Sequence, residues 1–191
     1  LRNTLRCQGG EYVELFNGRD GEWLADVELA GKRDVHLRVR EQRAAQAPTA
    51  DIWLAFAPVK NDKIDFLCRR AVELGASHLL PVMTQHTIVT RINEERLLAN
   101  AVEAAEQCGR MDIPSLSPLQ KLDALLSAWP KNRTLIYCDE SGEAPSLRTL
   151  LPALPAGEYG ALIGPEGGFS PAERTLIRQL PFSRPVHLGP R

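Results

Sequence analysis

Leu162-Ile163-Gly164-Pro165-Glu166-Gly167-Gly168-Phe169-Ser170-Pro171-Ala172-Glu173 (residues 162–173) carries an apolar run into a helix start through three glycines and one carboxylate. Ala161 to Gly164 reads as a short buried strand. The helix is signalled by Ser170 as N-cap, Pro171 at the first helical position and Glu173 three residues after the cap, the pattern of a capping box. A strand running through glycines into a helix is a joint of a mostly parallel α/β sheet. Ligands of such sheets bind outside the carboxyl ends of the strands. Three glycines leave backbone that a ligand can lie against; composition alone leaves equally open that they only turn the chain. Amides at a helix start attract anions. This joint, however, contains Glu166 and no Lys, it is not a G-x-x-x-x-G-K-[ST] loop, and the chain has no G-x-G-x-x-G. A ligand that is neutral or cationic here, such as a nucleoside without phosphates, fits better than a phosphate. Val186-His187-Leu188-Gly189-Pro190-Arg191 is a second strand-to-Gly-Pro corner, and the two corners can flank one pocket.

The rest of the second half repeats the α/β pattern. Ile52 to Ala57 is a continuous apolar run. Asn61 or Asp62 can cap a helix with apolar positions at Ile64, Leu67, Cys68, Ala71 and Leu74, stopped by Gly75. Leu79–Met83 and Leu135–Cys138 read as strands, Glu94–Cys108 as a helix ended by Gly109, and Val186–Leu188 as a last strand. Before about Arg43 the pattern is different. Tyr12–Phe16, Trp23–Leu29 and the alternating Val35, Leu37 and Val39 read as a β-meander, small and barrel-like, with turns at Asn17–Gly21 and Ala30-Gly31-Lys32. The polar, Ala-rich connector from Gln42 to Ala50, with Pro48, marks the boundary. Two domains are expected, 1–46 and 51–191.

The chain has 191 residues, 43% hydrophobic and 25% charged, the balance of an ordinary globular protein. It opens at Leu1 without a Met and shows no signal-peptide pattern. No apolar run approaches the ~20 residues that span a bilayer. Cys7, Cys68, Cys108 and Cys138 are far apart and form no C-x-x-C, which argues against a disulfide framework or a zinc site and fits a reducing cytoplasm. A net charge of −1 lacks the electrostatic footprint of a protein that grips naked nucleic acid, though a local basic face can hide in a neutral total.

Several motifs together resemble one known family. Leu162–Gly168 and Leu188-Gly189-Pro190-Arg191 resemble the cofactor motifs of SPOUT methyltransferases, and most closely the RsmE-type family of 16S ribosomal RNA uridine-N3 methyltransferases. Phe16-Asn17-Gly18 with Trp23 resembles its N-terminal PUA-like barrel. Lys63 followed by Ala71–Ala76 resembles its first catalytic-domain helix. Glu103–Arg110 with Ile113-Pro114 resembles another signature segment. The resemblance implies an α/β fold, a parallel sheet with a C-terminal trefoil knot, preceded by a small PUA-like β-barrel domain that binds RNA. It also implies a cytoplasmic homodimer, S-adenosylmethionine as cofactor, no metal, and 16S rRNA in the assembled small subunit as partner. The cofactor is a sulfonium cation with an adenosine and no phosphate, which suits a glycine joint containing a carboxylate. The family continues beyond Gly-Pro-Arg with a segment that completes the knot, so a chain stopping at Arg191 is expected to lack part of the pocket.

Site residues follow from the same resemblance. Leu162, Ile163, Gly164, Pro165, Glu166, Gly167, Gly168, Leu188, Gly189 and Pro190 are expected to hold the cofactor. Arg110 is the candidate catalytic contact, because an Arg can stabilise a uracil that has lost its imide proton; the plainer reading is a surface Arg near a helix C-terminus. Arg19, Arg38, Arg40 and Lys63 are candidates for RNA. The crowding of Arg33, Arg38, Arg40 and Arg43, and of Lys60, Lys63, Arg69 and Arg70, reads at least as well as solvated faces. Cys108 reads as a packed helix-end cysteine, since methylation at a ring nitrogen needs no nucleophile. His187 reads as structural, and His78 and His86 flank a strand without a visible partner. Trp53 and Trp129 read as packing, Trp23 less clearly so. The competing readings are a non-enzymatic RNA-binding or ribosome-assembly module, and a SPOUT enzyme acting on another RNA position.

Overall fold

Apolar–polar alternation between Tyr12 and Ala44 folds as three antiparallel strands in a meander: β1 (Tyr12–Phe16), β2 (Glu22–Leu29) and β3 (Val35–Ala44), in the order β1-β2-β3. The computed structural model describes residues 8–29, 34–47 and 49–189, without the side chains of Leu29, Asn61 and Asp62. The expected turn at Ala30–Lys32, together with Cys7, Arg33, Pro48, Pro190 and Arg191, lies outside the described residues. Ala25 and Val27 on the central strand are buried. The β1–β2 turn is held by Asn17, whose side-chain oxygen accepts the amides of Arg19 (3.1 Å) and Asp20 (2.9 Å). At Gly21 a Cβ would lie 2.2 Å from the Ala44 carbonyl oxygen, so glycine is needed for the strands to close there.

The chain then builds β4 (Ile52–Phe56), α1 (Asn61–Glu73), β5 (Ala76–Met83), α2 (Glu94–Cys108), β6 (Ser115–Leu116), β7 (Gln120–Lys121), α3 (Leu122–Ala128), β8 (Arg133–Cys138), α4 (Leu147–Leu150), β9 (Glu158–Ile163), α5 (Pro171–Gln179) and β10 (Ser183–Val186). The strands pair in parallel in the order β10-β8-β9-β4-β5-β6, with β7 also beside β5. Long crossovers are obligatory between parallel neighbours, because the chain must return to the starting edge each time, and here they carry helices. Burial on both faces explains the apolar runs: Ala55 and Phe56 in β4, Leu79, Leu80 and Val82 in β5, and Leu135, Ile136 and Tyr137 in β8 are all buried. Leu122, Leu125, Leu126 and Trp129 cover the sheet core from α3 and its end.

Two local expectations differ. Lys60 takes the N-cap of α1 with extended backbone, so Asn61 is already helical. The last strand ends at Val186, not Leu188. Val186 pairs with Cys138, the last residue of β8; beyond it β8 offers no further partner, and His187 makes only an isolated bridge to Ser146.

By contact density the chain forms two compact units: residues to Thr49 together with Ala105–Ile113, and Ala50–Ala104 with the chain from Pro114 onward. Helix α2 thus begins in the large unit and ends in the small one. Its end is a Schellman motif: Gly109, at φ +70°, donates to Glu106 and Arg110 donates to the Ala105 carbonyl at 2.9 Å. No helix among the described residues is long and apolar enough to cross a membrane.

Candidate cofactor site at the carboxyl edge of the sheet

The glycine joint connects β9 to α5 at the edge where all the parallel strands end. Its three glycines do different work. At Gly164 a Cβ would lie 2.6 Å from the ring of Phe169. That ring is buried and meets Tyr137 edge-on, with centroids 5.1 Å apart, so Gly164 lets the chain double back onto its own anchor. Gly168 sits at φ +68° and closes a turn with its amide on the Pro165 carbonyl at 2.9 Å. Gly167 has neither constraint: a Cβ there meets only His86 at 3.4 Å, an ordinary contact. The exposed amides of Glu166 and Gly167 have no partner among the described residues. The tip of the joint is therefore bare backbone.

Neighbouring loops hold the joint from both sides. Ser170 and Glu173 form the capping box, with Ser170 N donating to Glu173 Oε2 at 2.9 Å. Glu173 Oε1 also accepts the Gln85 amide at 2.7 Å, from the turn after β5. The next residue, His86, places Nδ1 3.2 Å from the Gly167 carbonyl oxygen and 3.1 Å from that of Gly168. From the loop after β8, Glu140 Oε1 accepts the Phe169 amide at 2.9 Å.

Glu140 is shared with an adjoining cleft of about 610 Å³ between the ends of β8 and β10, lined by Cys138–Glu140, Gly142 and His187–Gly189. Asp139 anchors its floor. Burial pushes the Asp139 carboxyl up, but the Ser141 amide and the Arg178 guanidinium outweigh this and hold it below the ordinary value. Arg178 binds Asp139 Oδ2 through Nε at 2.9 Å and Nη2 at 2.6 Å. Burial pushes the Cys138 thiol up to about 11, so it is protonated at neutral pH and a poor nucleophile. His187 Nδ1 accepts the Gly189 amide at 3.2 Å, which fixes the ring proton on Nε2 and folds the closing corner. Ile163 and Leu188 leave apolar surface exposed at these strand ends.

The expected site residues fall into three groups. Leu162 is buried in β9, whereas Ile163–Gly168 form the joint and Leu188–Gly189 line the cleft; Pro190 is outside the described residues. Arg110 belongs to the small unit, where it grips Asp112 through Nε (3.0 Å) and Nη2 (2.7 Å) and is mostly buried. The RNA candidates are ion-paired: Arg19 with Asp20, Arg38 with Glu28 and Arg40 with Asp26, all in the small unit. Lys63 lies on α1 in the large unit, 3.9 Å from Glu166. A cation thus does approach the joint, supplied by a helix roughly 100 residues away in sequence, far beyond the i,i+3 and i,i+4 spacings at which ion pairs can be read from a sequence. Sequence reading missed Glu140, Asp139 and His86. For Asp139-Glu140 the signal was present: an acidic, glycine-containing loop directly after a parallel strand. For His86 there was none, because its partners are carbonyl oxygens, which every residue carries.

Residues 45–191 match the family model for the RNA methyltransferase domain. The chain is 28% identical over 190 residues to ribosomal RNA small subunit methyltransferase E of Rickettsia conorii, covering 99% of this chain and 77% of that protein. It is 30% identical over 198 residues to the protein of the same name from Synechocystis, covering 100% of this chain and 64% of that one. Among solved structures, the ribosomal RNA small subunit methyltransferase E of Neisseria gonorrhoeae bound to S-adenosyl methionine superposes with a TM-score of 0.88 at 25% identity, over 100% of this chain and 80% of that one. With an all-parallel sheet, a bare glycine joint at its carboxyl edge and these relatives, the chain belongs to the RNA methyltransferase domain family, in its RsmE-type branch.

Proposed function

We propose that this chain transfers a methyl group from S-adenosylmethionine to N3 of a uridine in the 16S rRNA of the small ribosomal subunit. The observation that carries this reading is the joint at residues 164–168: bare amides at Glu166 and Gly167, beside a cleft floored by Asp139 and Glu140. A phosphate-bearing ligand would meet the exposed carboxylates of Glu166 and Glu140 there. An adenosine joined to a sulfonium cation asks for backbone donors and acceptors and tolerates acidic neighbours, so the residues present fit it. Leu162–Gly168 and Leu188–Pro190 are assigned to hold it. When bound, the cofactor supplies a methyl group made electrophilic by the sulfonium.

The remaining work falls to the chain. The uracil must be held in line with the methyl group, and N3 must give up its proton as it bonds to carbon. Arg110 is assigned to the base, with Asp112 fixing the plane of its guanidinium. In the same reading residues 1–46 are a PUA-like, RNA-binding barrel. Residues 51–191 belong to a SPOUT methyltransferase domain, of the kind that carries a trefoil knot at its carboxyl side. The protein works as a cytoplasmic homodimer. Arg19, Arg38, Arg40 and Lys63 contact rRNA; their ion pairs are exposed and screened by water, so phosphates can displace the carboxylates they now hold.

The test is incubation with methyl-labelled S-adenosylmethionine and small subunits lacking base methylation, alongside naked rRNA and large subunits. Label recovered as 3-methyluridine, mainly from small subunits, is the expected result. Label in another nucleoside reassigns the target, and no transfer together with no cofactor binding by the same intact chain removes the enzyme reading in favour of a binding module.

A further inference from the structure

We infer that His86 is a positioning residue for the cofactor: its Nδ1–H clasps the carbonyls of Gly167 and Gly168 and so sets which way the bare amides of the joint face. The inference rests on the cofactor reading given above. Nδ1 has two oxygen neighbours, at 3.2 and 3.1 Å, and both are carbonyls, which only accept. Nδ1 must therefore carry a proton. A carbonyl and the amide after it belong to one rigid plane. Fixing the Gly167 carbonyl fixes the Gly168 amide, which closes the turn on Pro165; fixing the Gly168 carbonyl fixes the Phe169 amide, which Glu140 takes from the other side. His86 and Glu140 thus hold successive peptide planes from opposite directions. What remains unheld is the stretch with the amides of Glu166 and Gly167.

The turn that carries His86 is itself locked. The Thr84 amide donates to Thr87 Oγ1 at 2.9 Å, the Thr87 amide returns to the Thr84 carbonyl at 3.2 Å, and the Gln85 amide is tied to Glu173. His86 therefore approaches the joint from a rigid base, and its side chain is exposed rather than part of the core. Loss of the ring removes the clasp and leaves the fold. Protonation of Nε2 does not release it, because Nδ1–H is present in both ring states.

Two readouts test this. The first needs no ligand: long-range ¹H–¹⁵N NMR of the wild-type protein should show the His86 ring with its proton on Nδ1 at neutral pH. A ring protonated only on Nε2 overturns the inference and leaves the methyltransferase reading untouched. The second is a substitution set in the full chain. His86→Ala should weaken S-adenosylmethionine binding roughly 2- to 10-fold, as expected for loss of a neutral hydrogen bond, with the thermal midpoint and saturated turnover little changed. His86→Asn should restore affinity, since its amide nitrogen stands where Nδ1 does; His86→Gln places its nitrogen at the Nε2 position and should not. Equal affinity in all four proteins overturns the inference. If wild type binds no S-adenosylmethionine, the cofactor reading fails, and the inference with it.

Discussion

The two edges of the large sheet are built on opposite plans. At the amino edge, where β4, β8 and β9 begin, one buried cation is gripped by several partners, with only its Nε left unbonded among the described residues. Arg133 is buried and donates through Nη1 to the carbonyls of Asp51 and Tyr159, both at 3.0 Å. Its Nη2 meets the carboxylates of Asp51 and Glu158, and its guanidinium lies 4.0 Å over the Trp53 ring. Trp53 and Trp129 meet edge-on at 5.5 Å, and Trp129 donates to the Arg133 carbonyl at 2.9 Å. Even Gly160, inside β9, serves this packing: a Cβ there would lie 2.5 Å from the Trp129 ring. At the carboxyl edge the chain holds its loop from behind and leaves the front unanswered. One edge contributes stability and the other retains binding capacity, on the same three strands.

Substitutions can break that division in order of expected cost. Arg133→Met removes the hub of the amino edge; a loss of about 3 kcal/mol in chemical denaturation is expected, with unchanged cofactor affinity per folded molecule. Gly164→Ala pushes the buried Phe169 ring; about 2 kcal/mol should be lost, together with cofactor binding, since the joint cannot double back. Gly168→Ala forces a side chain into left-handed backbone and should cost about 1 kcal/mol, read as a lower thermal midpoint. Gly167→Ala sharpens the contrast. The fold does not require glycine there, so stability should stay within about 0.5 kcal/mol, while S-adenosylmethionine affinity in calorimetry falls about tenfold because a methyl group now stands on the bare backbone. A stable variant with full affinity would show that the ligand does not lie on this joint.

Acid should affect both edges alike. At Asp51 burial pushes the carboxyl up, but Arg133, Ser77 and Trp53 outweigh it, and Asp139 is likewise held below its ordinary 3.8. A carboxyl with a depressed folded value stabilises the protein fully above its unfolded value, and that contribution disappears as pH falls through the folded one. The thermal midpoint should therefore hold steady down to about pH 5 and fall steeply below 3.8.

Legibility in the sequence followed the locality of the cause. The capping box at Ser170–Glu173 and the Gly109 stop depend on residues a few places apart, and both were readable. A mostly parallel α/β sheet followed from apolar runs alternating with helical periods, and the pairing among the described strands of the large sheet is parallel throughout. The end of β10 at Val186 was not readable, because it depends on where β8 ends, 48 residues earlier, roughly a whole crossover away. The pairing of Arg38 and Arg40 was hidden for the same reason: they meet their acids only through the β2–β3 register. The function of the glycines was divided. Composition announced an unusual joint, but only geometry separates Gly164 and Gly168, required by the fold, from Gly167, left for a ligand.

The Schellman end of α2 has a consequence for anyone dissecting the protein. The compact small unit is not a continuous stretch of chain: it draws Ala105–Ile113 from far downstream, and Thr49 Oγ1 donates to Asp112 there at 3.1 Å. A fragment ending near residue 50 sheds a piece of its own body along with Arg110, so the apparent linker is a poor place to cut. Thr49 and Asp112, 63 residues apart in sequence, are in contact, so substitutions at the two are expected to act non-additively on stability.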